Sequence, residues 1–355
     1  MNKKGKKLFI FLSSFFVICL IFYFVFYASK DFNLEFASAF SNSEEKKEII
    51  NEQKNEKEEN KNNEFNSLVK KIKANLQEKY FITSKLPVDN SPQKCKQAQD
   101  CDLDCRFAAA IDSKTKTLLY EKNAYQPTPI ASITKLMTAL VFLDYNPGWN
   151  KVYQIKASDR RDGGRIYLYQ GEKVKVKDLF YASLIGSANT ATIALIKSTG
   201  MTEEEFVMKM NEKASKLGLE KTIFIDPTGL LDGNISTAHE VSLLAREALA
   251  QKDIRQATLV KDYQFKTLSG RLKNIISTDH LLGNLPPNGI RILGGKTGYT
   301  VAAGFCFVGE FVHEGENEII SVVLGGPSYS GRFTETKLLV EWIYNNYRWP
   351  EIGEN

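Results

Sequence analysis

The sequence predicts an α+β fold: an antiparallel sheet closed by N- and C-terminal strands of one unit, with a helical lobe inserted between them. Two observations predict it. From Arg106 onward, strand-like runs stand at both ends of the unit. Between them the apolar residues recur mostly at helical spacing. No internal repeat offers another architecture.

The elements follow in order. Phe107–Asp112 and Thr117–Glu121 flank the polar turn Ser113–Lys116 and read as a strand pair. An apolar helix runs from about Ser132 to Asp144. Val176–Ile185 is a second helix, stopped at Gly186, and Asn189–Lys197 a third. Thr202-Glu203-Glu204-Glu205 is a capping box whose helix ends at Gly218. Thr237-Ala238-His239-Glu240 is a second capping box, opening a helix to about Gln251. Tyr263–Leu268 and Arg271–Ile276 flank Ser269-Gly270 as a hairpin. Ile290–Leu293, Gly304–Val312 and Glu318–Leu324 are the closing strands. The last helix, Phe333–Tyr347, carries Leu338, Leu339, Trp342 and Ile343.

Ahead of this unit the chain changes character. Met1–Lys7 holds four lysines, and Leu8–Tyr27 follows without a charge. Twenty helical residues span about 30 Å, the thickness of a bilayer's hydrocarbon core. The lysines predict a cytoplasmic N-terminus and an outward-facing remainder. We read 1–30 as a basic tip and an uncleaved transmembrane anchor. Ala37-Ser38-Ala39 fits a signal-peptide cleavage site, which is the alternative, but the apolar run is longer than a cleavable one. Residues 43–63 are mostly Glu, Lys and Asn and read as a solvated tether. Phe65, Leu68, Val69, Ile72, Leu76 and Tyr80 predict a short stalk helix. The division is thus 1–30, 31–92 and a catalytic domain over 93–355.

Composition excludes several function classes. The 355 residues carry a net charge of +5, with no clustered basic stripe, so no nucleic-acid partner is expected. Three histidines, far apart, argue against a histidine-rich metal site and against a histidine base. No metal and no cofactor is expected.

The chemistry sits in three short motifs. Ser132-Ile133-Thr134-Lys135 is a Ser-x-x-Lys sequence. The same pattern starts at Ser43, Ser67, Ser91 and Ser113, but only Ser132 opens a buried helix. There Lys135 lies one turn on, within reach of the hydroxyl. A desolvated lysine gives up its proton readily and can activate a serine. Ser187-Ala188-Asn189 is the one Ser-x-Asn and Lys296-Thr297-Gly298 the one Lys-Thr-Gly. Alone, each has a bland reading: a helix cap, a polar turn, the start of a strand. Together and in this order they are the mechanistic set of penicillin-binding proteins and class A β-lactamases.

The region Arg106–Trp349 resembles the low-molecular-mass penicillin-binding proteins, the serine D-alanyl-D-alanine carboxypeptidase family. The resemblance extends through GEKVKVKDLFYASLIGSAN, KASKLGLEKTIFIDPTGL, STAHEVSLLA, GGKTGYTVAAGFCFVGE and SVVLGGPSYSGRFTETKLLVEW. It implies a serine β-lactamase/D,D-peptidase-like fold and a role for each matching residue. Ser132 is the nucleophile, Lys135 its base, and Ser187 relays the proton to the leaving D-alanine. Asn189 holds the substrate amide. Lys296, Thr297 and Arg332 line the pocket for the terminal carboxylate, although an ion pair with Glu335 is a purely structural alternative for Arg332. The backbone N–H groups of Ser132 and Tyr299 form the oxyanion hole. Gly298 lets the substrate backbone approach. Thr190 departs from the acidic or amide residue common in relatives, with little effect expected.

The implied partners are peptidoglycan stem peptides, with β-lactams as covalent inhibitors and the membrane as anchorage. A D,D-endopeptidase would use the same residues. A class A β-lactamase would need a deacylating glutamate in Glu-x-x-Leu-Asn, and TIFIDPTGLLDGN contains none. A non-catalytic β-lactam-sensing or wall-binding module would not need every motif residue intact. Cys95, Cys101 and Cys105 cluster before the domain, predicting one local disulfide and a free thiol rather than a zinc site.

Overall fold

The computed structural model describes residues 91–350, except 98–99, 286–287 and 315–316. The anchor at Leu8–Tyr27, the tether and the stalk helix lie outside the described residues. Among the described residues no helix is long and apolar enough to cross a membrane.

After a two-residue strand, Gln93–Lys94, paired with Tyr347–Arg348, the main sheet begins with β1 (Phe107–Asp112) and β2 (Leu118–Lys122). The lobe follows as α1 (Thr134–Asp144), α2 (Val176–Ile185), α3 (Asn189–Ser198), α4 (Glu203–Lys216), α5 (Ala238–Ala250) and a short α6 (Lys252–Thr258). A hairpin, β3 (Asp262–Lys266) and β4 (Leu272–Ile276), leads to β5 (Ile290–Thr300), β6 (Gly304–His313), β7 (Asn317–Gly326) and α7 (Gly331–Asn346). The sheet order is β5-β6-β7-β1-β2, with every neighbour antiparallel. The first strand therefore pairs with the last, Asp112 opposite Ile319 and Phe107 opposite Leu324. The predicted topology holds.

Both faces of this sheet are buried. Ala108, Ala110, Phe307, Phe311, Ile319 and Val323 meet Leu339, Val340 and Ile343 of α7 on one side. Ala109, Ile111, Cys306, Val308, Ile320 and Val322 meet Val241, Leu244, Ala245 and Ala248 of α5 on the other. Successive strand residues point to opposite faces, so a sheet covered on both sides reads as a nearly continuous apolar run. On α7, Val340 joins Leu339 and Ile343 in the core, whereas Leu338 is 48% exposed.

Local chemistry explains the helix ends. Thr202 Oγ1 accepts the Glu205 N–H at 3.1 Å and Glu205 returns the bond to the Thr202 N–H at 2.8 Å. Gly218, at φ +74°, ends α4. The second predicted box is half made. Thr237 Oγ1 caps the Glu240 N–H at 3.1 Å, but Glu240 turns to the Lys221 N–H and the Thr222 hydroxyl. That carboxylate thereby joins the buried Thr222–Ser236 hydroxyl pair and ties the chain at Lys221 to the start of α5.

The structure changes two other expectations. β5 does not stop at Leu293 but runs on to Thr300, through Lys296-Thr297-Gly298. A bulge leaves Leu293 out of the ladder, and pairing resumes at once with Gly294 opposite Glu310 and Gly295 opposite Gly309. The cysteine disulfide is not formed: Cys95, Cys101 and Cys105 are free thiols. Cys105 points into the core beside Leu103 and Ala108. Burial, with Glu335 alongside, pushes that thiol up to about 12, so little thiolate forms.

Candidate active site

Ser132 lies in a single 3₁₀ turn, Ala131–Ile133, directly ahead of α1. The turn is tight: Ala131 takes φ +48°, a conformation non-glycine residues rarely hold. Two glycines make room for it. A Cβ on Gly229 would sit 1.9 Å from the Ala131 carbonyl oxygen. One on Gly298 would sit 2.9 Å from the Ile130 carbonyl oxygen and 3.2 Å from the Ser132 nitrogen. Gly298 is thus required by the nucleophile's own turn. The same contact brings β5 against the Ser132 turn. The Tyr299 side chain stacks on Phe305, with ring centres 4.4 Å apart.

Helical spacing carries Lys135 back over the turn to Ser132. Its Nζ donates to Ser132 Oγ at 2.8 Å, to Asn189 Oδ1 at 2.8 Å and to the Thr228 carbonyl at 2.6 Å. Lys135 is fully buried, and burial lowers its proton affinity to about 7, with Asp226 opposing. An amine without its extra proton keeps two N–H donors and gains a lone pair. Of the three partners, only the Ser132 hydroxyl has a proton to give that lone pair. The arrangement is that of a nucleophile beside its base.

A second lysine–serine pair stands opposite. Lys296 Nζ donates to Ser187 Oγ at 2.8 Å and to the Thr297 carbonyl at 2.8 Å. Ser187 has φ +53° in the turn between α2 and α3, which aims its hydroxyl at β5. Burial pulls Lys296 well below the ordinary lysine range, and the like charges of Lys135 and Arg332 add to it. The Thr297 hydroxyl is held by Thr278 at 2.5 Å.

Asn189 is fully engaged. Its amide donates to the Gly163 carbonyl at 2.8 Å while its oxygen accepts from Lys135. Its visible work is to fix the base; holding a substrate amide would exchange the Gly163 bond for one to the ligand. Thr190 Oγ1 accepts the Arg161 N–H at 3.3 Å, tying the same loop down.

Arg332 opens α7 and is 3% exposed. Its guanidinium lies over the Tyr329, Phe333 and Phe305 rings, at 4.6, 4.8 and 5.7 Å. Nη1 donates to the Gly298 carbonyl at 3.2 Å. The pairing with Glu335 is not made, because that carboxylate accepts the Asp104 N–H at 2.7 Å and the Cys105 N–H at 3.3 Å. Among the described residues no carboxylate comes within ion-pair distance of Arg332, so aromatic walls leave a cation able to receive one.

The structure therefore gathers Ser132, Lys135, Ser187, Asn189, Lys296, Thr297, Gly298 and Arg332 in one buried site. It adds groups that sequence reasoning missed. The Thr228 carbonyl holds Lys135. Asp226 folds that carbonyl's loop by accepting the N–H groups of Thr228, Gly229 and Leu231. The string Asp-Pro-Thr-Gly was the available signal, read only as family likeness.

Comparison with known proteins decides the family. The model of the D-alanyl-D-alanine carboxypeptidase family matches residues 93–328. The chain belongs to the D-alanyl-D-alanine carboxypeptidase family. It is 29% identical over 266 residues to D-alanyl-D-alanine carboxypeptidase DacF of Bacillus subtilis, covering 72% of this chain and 66% of that one. It is 32% identical over 207 residues to a D-alanyl-D-alanine endopeptidase of Pseudomonas aeruginosa, covering 57% and 65%. The chain thus spans just under two thirds of the length of these two relatives. Among solved structures, a Streptomyces DD-transpeptidase superposes with a TM-score of 0.65 at 26% identity, covering 70% of this chain and all of that one. A Mycobacterium tuberculosis D-alanyl-D-alanine carboxypeptidase superposes at 0.63 and 26%, covering 71% and 96%. The mixed α/β D,D-peptidase fold and the carboxypeptidase-family architecture are shared.

Proposed function

We propose that the protein is a serine-type D-alanyl-D-alanine carboxypeptidase acting on peptidoglycan stem pentapeptides. The observation that carries the reading is the Ser132–Lys135 contact, inside a site whose other wall presents Lys296 and Arg332. Ser132 Oγ attacks the carbonyl carbon between the two D-alanines as its proton passes to the Lys135 amine. The oxyanion is held by the Ser132 and Tyr299 amides. The C–N bond breaks as the leaving amine takes a proton, with Ser187, held by Lys296, as the relay. Water then attacks the ester, Lys135 again accepting its proton, and Ser132 is released. A β-lactam would acylate the same oxygen.

The test is digestion of purified muropeptides by the full chain, read by mass spectrometry. Loss of one alanine from pentapeptides is the expected result. Conversion of crosslinked dimers to monomers, with pentapeptides untouched, would replace the reading with the endopeptidase named among the relatives. The carboxylate grip gives a sharper prediction. Arg332→Ala should lower kcat/KM roughly ten- to a hundred-fold on a peptide ending in D-Ala-D-Ala, the worth of one charge-assisted contact. It should change cleavage of a D-Ala crosslinked dimer little. Unchanged efficiency on the free-carboxylate peptide, in a folded variant that still binds penicillin, would exclude that role.

We also propose that Leu8–Tyr27 is retained as a single-pass anchor in the bacterial cytoplasmic membrane, with the catalytic domain outside. The support is the uncharged twenty-residue run behind four lysines. N-terminal sequencing of the membrane-extracted protein should begin at residue 1 or 2. A start at Phe40 would mean cleavage after Ala39.

A further inference from the structure

Asp279 is a buried acid that the reaction above does not use. It lies between β4 and β5 and is 7% exposed. Oδ1 accepts the Leu281 N–H at 2.8 Å, and the Asp279 N–H donates to Ser277 Oγ at 3.1 Å. Oδ2 is buried and has no hydrogen-bond partner. It faces β5: a Cβ on Gly295, the residue before Lys296, would lie 3.2 Å from it. The Phe307 ring and the Val308 carbonyl of β6 crowd the same point without offering a donor. The neighbouring Thr278 binds the Thr297 hydroxyl, so this segment is tied directly to the Lys-Thr-Gly strand.

A buried carboxylate oxygen without a donor is unfavourable unless charge compensates it. The compensating charges are Lys296 on β5 and Arg332 on α7. The site holds three buried cationic groups, Lys135, Lys296 and Arg332, and two acids act on them. Asp226 acts on Lys135, with its oxygens filled by the loop it folds. Asp279 acts on Lys296 and Arg332, with one oxygen left open.

We propose that Asp279 is a positioning residue that keeps Lys296 protonated from behind β5, and so maintains the cationic grip on the substrate carboxylate. The inference rests on the carboxypeptidase reading of Lys296 and Arg332. The physical reason is the balance of forces on Lys296. Burial and two like charges drive its proton off, and Asp279 opposes them. A neighbouring negative charge favours the ammonium, so removing it makes Lys296 lose its proton at lower pH. Burial raises Asp279 itself to about 6, with Lys296, Arg332 and the Leu281 N–H opposing. The support is therefore present above about pH 6. Tyr329 and Cys306 also face Arg332, and His280 adjoins Asp279 in sequence while its ring stacks on Phe333.

The test is Asp279→Asn, which keeps an oxygen for the Leu281 N–H and removes the charge. kcat and KM of the full chain are followed from pH 5 to 10 on a peptide ending in D-Ala-D-Ala and on its C-terminal amide. Wild type should prefer the free carboxylate, with KM rising at alkaline pH. In Asp279→Asn that rise should begin about one pH unit lower, leaving KM roughly tenfold higher than wild type on the fully developed rising limb, the effect of about one pKa unit. Asp279→Glu should restore the wild-type limb. Asp279→Ser is a second charge-free variant should the amide misfold. Superposable KM profiles for wild type and the charge-free variants would overturn the inference alone. Equal KM values for carboxylate and amide in wild type would overturn the grip reading beneath it.

Discussion

Ser132→Ala is expected to abolish covalent labelling by penicillin and to lower D-alanine release by a factor on the order of 10⁴–10⁶, the range for removing a catalytic nucleophile. The fold should survive. Ser132 carries no side-chain cap on its 3₁₀ turn, and the turn is shaped by Ala131, Gly229 and Gly298. Its hydroxyl contributes one contact, to Lys135 at 2.8 Å, with the Thr228 carbonyl further off at 3.4 Å. Lys135 keeps two other acceptors when that contact goes. Intact-mass spectrometry after penicillin exposure checks the first claim, and thermal unfolding the second. An acyl adduct in Ser132→Ala would assign the nucleophile elsewhere, and Ser113→Ala would be the next variant to examine.

Lys135→Ala is the second large effect. Loss of a positioned general base lowers rates by about 10²–10⁴, and here the same side chain also locks Asn189 and Thr228 to the nucleophile. The wild-type pH profile follows from the sign of its shift. Burial favours the neutral amine, and the neutral form is the base. Acylation by penicillin should therefore rise with pH and level off above about 7. A lysine at its ordinary value would still be climbing past pH 9. A penicillin acylation rate unchanged between pH 6 and 8 would remove Lys135 from the base role.

What the sequence made legible was local. Ser132 and Lys135 are one helical turn apart, and Thr202 and Glu205 satisfy each other across the first turn of α4. Such contacts are set by spacing alone. The order of the three motifs supplied the long-range part, because Lys296 and Ser187 meet across more than a hundred residues without a periodic signal. Backbone acceptors were not legible. The carbonyls of Thr228 and Gly163 complete the site around Lys135 and Asn189, and a carbonyl oxygen belongs to every residue type. Asp279 is hidden for another reason: its significance is the lack of a partner, which only the packing of β5 and β6 creates. Gly298 was legible as a glycine needed for close approach, and the nucleophile's turn is a reason for it that the sequence did not show. The cysteine cluster misled because proximity in sequence says nothing about a thiol turned into the core.

The pairing of β1 with β7 has a consequence for how the chain comes together. β1 emerges from the ribosome early, already apolar on both faces. Its neighbour on the β7 side is nearly the last strand to be made, Asp112 waiting for Ile319. Closing that pair spans almost the whole catalytic domain, so its entropy must be met before the contact returns anything. Until then β1 presents an open edge and uncovered apolar faces, the features that invite mispairing and aggregation. The helical lobe can form on local contacts in the interval. The second lysine–serine pair is assembled only at the end, because β5 carries Lys296 to Ser187 and packs against the Ser132 turn. A nascent or truncated chain that lacks these final strands holds the nucleophile and its base in sequence, but not the second half of the site.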